Sequence, residues 1–283
     1  MNLEKKVLLI VFIVTSIIPI YAQQYDNEKD FQVKVIGGGK GVEIAKYIGK
    51  KKEVSIPPSI QNKPVTSIGE KAFSDCTGLA NVTIPDGVTS IEYGAFSNCT
   101  SLASVTIPNS VTSIGEGAFY GCTILTSVTI PTNIKYINFS KINFGVFANC
   151  NKLTEIIINK NNPSYTSING IVYDKNKNYL LFCPIGITGK IIIPEGVQYI
   201  EYYSFYGCNN ITEVVIPESI KKIGPWAFGN CINLVDINIP SHLKPIVDDV
   251  VVGYSAFCNT NLNPKIREEI LKRFGDVFVA DGK

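Results

Sequence analysis

The chain reads as a mainly β, right-handed solenoid, and three observations carry that reading. First, a segment about 23 residues long recurs in phase: Ser67-Ile68-Gly69 to Cys76 returns as Ser90 to Cys99 and as Ser113 to Cys122. Further copies end at Cys208 and Cys231, and a degenerate one carries Phe147 and Cys150. Second, each of the five clear copies leads into a short alternating run closed by proline, at Pro85, Pro108, Pro131, Pro217 and Pro240. Third, the stretches at either end of the array break the repeat, as terminal caps must. A fixed period of this length makes each unit a coil that buries its apolar side against its neighbours.

The elements follow in order. Residues 1–22 pair Lys5 and Lys6 with an apolar run from Val7 to Ile20 and a small residue at Ala22, the layout of an export signal. The run is shorter than the ~20 apolar residues that span a bilayer, and no membrane span is expected after its removal. Residues 23–53 hold two strand-like runs around Gly37-Gly38-Gly39-Lys40-Gly41, a hairpin expected to cover the first coil. That glycine run matches neither phosphate-loop spacing, so a turn is expected.

Residues 54–260 form the coils. Val82 and Ile84 are expected to point inward and Thr83 outward, and likewise around Thr106 and Thr129. Proline then ends each strand, because it cannot donate to the ladder. The Ala-Phe pairs fill the interior, and Gly69, Gly115 and Gly224 are expected at tight bends. An enlarged coil over 159–190 contains two apolar runs flanking an Asn/Lys turn, a β-hairpin that either projects or forms the coil. A shorter insertion at 139–143 interrupts the coil before it. Residues 261–283 open with Asn263-Pro264, carry Ile266, Ile270 and Phe274 at helical spacing and stop at Gly275, a capping helix and tail.

The motif S-I-G-x-x-A-F-x-x-C-x-x-L-x-x-V-x-I-P, seen at Ser113-Ile114-Gly115 through Cys122, Leu125 and Ile130-Pro131, resembles the BspA-like class of leucine-rich repeats. The resemblance covers about residues 54–260. It implies a secreted or surface protein of the kind found in host-associated bacteria and some parasitic protists, linked to adhesion to matrix, plasma or microbial macromolecules. It carries no binding residue over position by position.

Composition narrows the function. A formal net charge of +2 gives no strong pull toward nucleic acid or anionic membrane, and only Arg267 and Arg273 could offer arginine forks. His242 is the only histidine, so no two-histidine metal site exists. Neither enzyme nor cofactor is expected. The remaining alternatives are an envelope assembly component without a host ligand and, more remotely, a carbohydrate-active hydrolase.

Three groups of residues are candidates for binding or structure. On the outward strand position, threonine gives way to Ile157, Ile192 and Val215, with Asn238 ending the row and Glu155, Glu213 and Asp236 beside it. An exposed apolar stripe flanked by acids would suit a protein or glycan partner, unless the hairpin with Tyr173 and Tyr179 covers it. Tyr203 and Trp226 hold equivalent positions in adjacent coils, suited either to recognition or to edge packing. Cys76, Cys99, Cys122, Cys150, Cys208 and Cys231 recur three residues after the motif phenylalanine. Buried thiol packing is the expectation for this ladder. Disulfides between neighbouring coils are the alternative, since rung spacing of ~4.8 Å lies within the permitted Cα separation.

Overall fold

The computed structural model describes residues 24–139, 145–243 and 251–279. The segment expected to be an export signal and most of the 139–143 insertion lie outside them. The described chain is a β-solenoid of about eight turns with one C-terminal helix.

Each coil contributes one strand to each of two walls. In the first half, one wall stacks Glu53–Ser55, Asn81–Thr83, Ser104–Thr106, Ser127–Ile130 and Glu155–Ile158 in parallel. Its register aligns Val54, Val82, Val105, Val128 and Ile156, all buried, while Thr83, Thr106 and Thr129 face solvent. The second wall stacks Gly41–Tyr47, Lys63–Ile68, Ser90–Ile91 and Ser113–Ile114, aligning Ile44, Ile68, Ile91 and Ile114. Beyond the enlarged coil the walls resume as Gly189–Ile192, Ile211–Val215 and Asp236–Ile237, and as Tyr179–Phe182, Tyr199–Ile200 and Lys222–Ile223. Alternation alone explains this arrangement: period-two apolar residues can be buried only if both walls face inward.

The motif phenylalanines pile up between the walls. Phe73, Phe96, Phe119 and Phe147 stack at centroid spacings of 5.0, 5.4 and 5.8 Å. Phe205, Phe228 and Phe257 repeat the column at 4.8 and 5.5 Å. Both ends are capped by further rings. Phe31–Ile36 and Gly41–Tyr47 form the antiparallel N-terminal hairpin, which lays Tyr47 on Phe73 at 5.1 Å. At the other end Phe278 meets Phe257 at 5.9 Å. The helix Pro264–Phe274 is capped by the Asn263 side chain, and Gly275 turns the chain away at φ 72°. Arg273 pairs with Glu269 one helical turn away at 3.0 Å. Its guanidinium donates to the carbonyls of Ile239, Pro240 and Leu243 at 3.0, 2.6 and 2.9 Å, closing the last coil.

The enlarged coil does not project. Tyr165–Ile168, Ile171–Asp174 and Tyr179–Phe182 make an antiparallel meander that becomes part of the second wall, with Tyr173 only 1% exposed. Asn162 locks it to the preceding coil. Fully buried, its amide donates to the carbonyls of Pro131 and Ile134 and its oxygen accepts from Ser164 and Tyr165 N–H, all at 2.9 Å.

The bends also differ in detail from expectation. Gly115 and Gly224 have ordinary φ; they are needed because a Cβ would sit 2.5 and 2.8 Å from the backbone nitrogens of Tyr93 and Tyr202 in the coil before. Close approach, rather than turn geometry, excludes a side chain there.

Candidate interaction surface

The corner between Gly of S-I-G and the motif cysteine is a tight turn that twice enters the left-handed region. Two residues after the phenylalanine stand Asp75, Asn98, Gly121, Asn149, Gly207, Asn230 and Asn259, all with φ between 54° and 70°. Asparagine, aspartate and glycine are the residues that tolerate that conformation. Two residues before the phenylalanine stand Lys71, Gly94, Gly117, Tyr203, Trp226 and Ser255, with φ between 53° and 61°.

Tyr203 and Trp226 are therefore bulky aromatics held where glycine sits unstrained in other coils. Their rings stack at 6.3 Å and 19°, and Tyr206 meets each edge-on, at 5.6 and 6.0 Å. Both are half-buried, while Tyr202 and Tyr254 beside them are 57% and 51% exposed. A left-handed L-residue costs roughly 1–2 kcal/mol, and sustained strain of this kind concentrates at functional sites. The sequence marked these two positions as equivalent. It did not reveal the strain, although glycine at Gly94 and Gly117 was the available signal.

The sheet stripe is accessible but divided. Ile157 and Ile192 are 43% and 64% exposed, so the meander does not cover them. They belong to different sheets, however, because Gly170 and Ser167 occupy the edge of Glu155–Ile158 through the N–H groups of Ile156 and Ile158. Ile192 pairs in register with half-buried Val215. Asn238 extends the ladder with its side chain, donating to Ile216 C=O at 2.8 Å and accepting from Ile216 N–H at 2.7 Å. The acids do not form one column. Glu155 aligns with Ser127 in the first wall, whereas Glu213 aligns with Asp236 and Lys190 in another sheet. Lys190 neutralises Glu213 at 2.7 Å.

The cysteines are all free thiols. Cys99, Cys122, Cys150 and Cys231 donate from Sγ to the phenylalanine carbonyl of the coil before, at 3.0–3.2 Å. Cys208 instead reaches Cys183 C=O at 3.5 Å, because the enlarged coil displaces the usual acceptor. Burial pushes the Cys150 thiol up to about 12 and raises Cys99 and Cys122 further, so these groups stay protonated donors. Cys76, partly exposed, is raised by burial and by neighbouring Asp75.

His242 lies at the rim. Its Nε2 donates to Ile220 C=O at 2.8 Å, which leaves Nδ1 facing Glu218 at 3.1 Å. Among the described residues, no group of three or more His, Cys, Asp or Glu side chains is placed to hold a metal. No described helix is long and apolar enough to cross a membrane.

Residues 50–179 and 181–275 match the model of the BspA type leucine rich repeat region, in six copies. The chain belongs to the BspA-type leucine-rich repeat family. No curated protein matches it. Solved leucine-rich repeat structures share the fold. The T. pallidum protein TpLRR is 24% identical over 91% of this chain and 100% of its own, with a TM-score of 0.51. A Eubacterium ventriosum protein is 23% identical over 83% and 71%, at 0.57. The pneumococcal vaccine antigen PcpA is 18% identical over 82% and 78%, at 0.52. BspA-type repeats and this fold typically serve as non-enzymatic binding modules.

Proposed function

We propose that this BspA-type protein is an exported, surface-displayed module that binds macromolecules, adhering to host or microbial protein through the corner edge of its second half. The observation that carries this reading is the Tyr203–Trp226 stack, held at left-handed positions where glycine would cost nothing. Tyrosine and tryptophan are enriched at the centres of protein interfaces, and Tyr202, Tyr206 and Tyr254 widen the edge to a ridge. A repeat edge can supply the ~800 Å² per partner of a standard contact. The divided stripe at Ile192 and Val215 lies on a separate sheet and provides the comparison surface.

Binding of the mature chain to immobilised matrix and plasma proteins tests the proposal. Paired Tyr203→Gly and Trp226→Gly substitutions should weaken capture at least tenfold, the loss of ~2 kcal/mol expected at an aromatic anchor. The same pair should leave the fold intact, since relief of left-handed strain offsets part of the lost ring contact. Val215→Lys should have little effect. Undiminished capture by the double-glycine variant, or loss only with Val215→Lys, would place the partner elsewhere.

A further inference from the structure

The corners are joined along the stack by a backbone ladder. The N–H of the motif phenylalanine and that of the residue two places later donate to the next coil: Phe119 to Val146 at 3.0 Å and Gly121 to Ala148 at 2.9 Å, Phe205 to Ala227 at 2.8 Å and Gly207 to Gly229 at 2.9 Å. At the enlarged coil the ladder loses a rung. Phe182 places its ring near Phe147, and Cys183 N–H reaches Ser204 C=O at 2.8 Å, but the outer half of that corner is missing. Among the described residues, the N–H groups of Phe147 and Asn149 have no acceptor, and the C=O of Tyr206 has no donor. Between these lips lies a notch of about 220 Å³, floored by Phe182 and Ile185. Among the described residues no charged side chain lines it; Asn149, Asn151, Asn209 and Asn230 form its rim.

We propose that this notch binds the main chain of an uncharged peptide segment from a partner protein, which takes the place of the missing corner. Two donors two residues apart on one lip and an acceptor on the other match an incoming backbone, as in strand addition to an open edge. The apolar floor accepts one non-polar side chain, and the neutral rim disfavours a charged one, whose desolvation nothing would offset. The site is small for a free metabolite, since pockets for such ligands are typically ~300–1,000 Å³. It uses backbone groups, and Tyr206, whose C=O forms one lip, is the residue it shares with the Tyr203–Trp226 ridge.

Amide resonances of isotope-labelled protein, titrated with an acetylated and amidated peptide of residues 94–100 carrying Cys99→Ser, test the proposal. This probe is an intact corner from the same chain. The Phe147 and Asn149 amides should shift saturably, while the already paired amides of Phe119 and Gly121 stay still. Ile185→Trp should fill the notch and weaken binding at least tenfold, with unchanged Phe119 and Gly121 amides showing that the stack remains folded. The Val215→Lys variant, altered on a separate sheet, should bind the probe normally. No shift at millimolar peptide, equal binding by Ile185→Trp, or shifts produced by maltohexaose and not by the peptide would overturn it.

Discussion

Ser204 shows how much one atom can matter in a repeated environment. It stands where the other corners carry Ala72, Ala95, Ala118, Val146, Ala227 and Ala256, and its hydroxyl is buried without a partner. Ser204→Ala should stabilise the protein by about 1–2 kcal/mol, the desolvation cost of an unpaired hydroxyl, measurable by urea unfolding. The thiols make a second residue-scale case. At pH 8, a thiol reagent should label Cys76 in the folded chain and leave Cys99, Cys122 and Cys150 unmodified until it unfolds. Their raised pKa values mean that the folded state keeps protons the unfolded chain releases above pH ~8.5. Stability should thus hold below that pH and fall as pH rises toward 12, by up to ~1.4 kcal/mol per unit for each thiol. A flat profile, or early labelling of Cys122, would contradict the hydrogen-bonded ladder. The thiol positions were legible from their 23-residue spacing, whereas their acceptors, carbonyls of the preceding coil, are a property of stacking that no local pattern displays. The same holds for Asn238, where a row of apolar residues ends in a side chain that imitates backbone.

Among the elements, alternation and proline made the strands readable, and Asn263-Pro264 with Gly275 marked the helix. The enlarged coil was only half legible. Its apolar runs signalled strands, but whether they projected depended on Tyr173, whose burial is decided by neighbours distant in sequence. Asn162 carries the attachment. Asn162→Ala would leave two carbonyls and two N–H groups of buried backbone unpaired, so it should cost upwards of ~3 kcal/mol. Chemical denaturation should register the loss, and a change below ~1 kcal/mol would mean that the meander is held by its apolar faces alone. The acids illustrate the opposite failure. Glu155 and Glu213 occupy equivalent places in the repeat, yet the meander puts them in different sheets, and Lys190 answers only one of them.

At the scale of the whole molecule, the enlarged coil divides the buried residues into two clusters, one running from Phe31 to Ile158 with Tyr165, Val172 and Phe182, the other from Ile171 to Phe278. In a solenoid, stability is approximately a sum over repeats and their nearest-neighbour interfaces, so the weakest interface is where cooperativity should fail first. The two-residue gap in the corner ladder falls at that same place, and the aromatic ridge stands just beyond it. Residue-resolved amide hydrogen exchange is the most direct measurement of this architecture. Slow exchange is expected at Phe73, Phe96, Phe119, Phe205 and Phe228, in two blocks of different stability, with Asn149 exchanging fast between them. Uniform protection through Asn149, or fast exchange along the whole column, would contradict a continuous stack interrupted at a single coil.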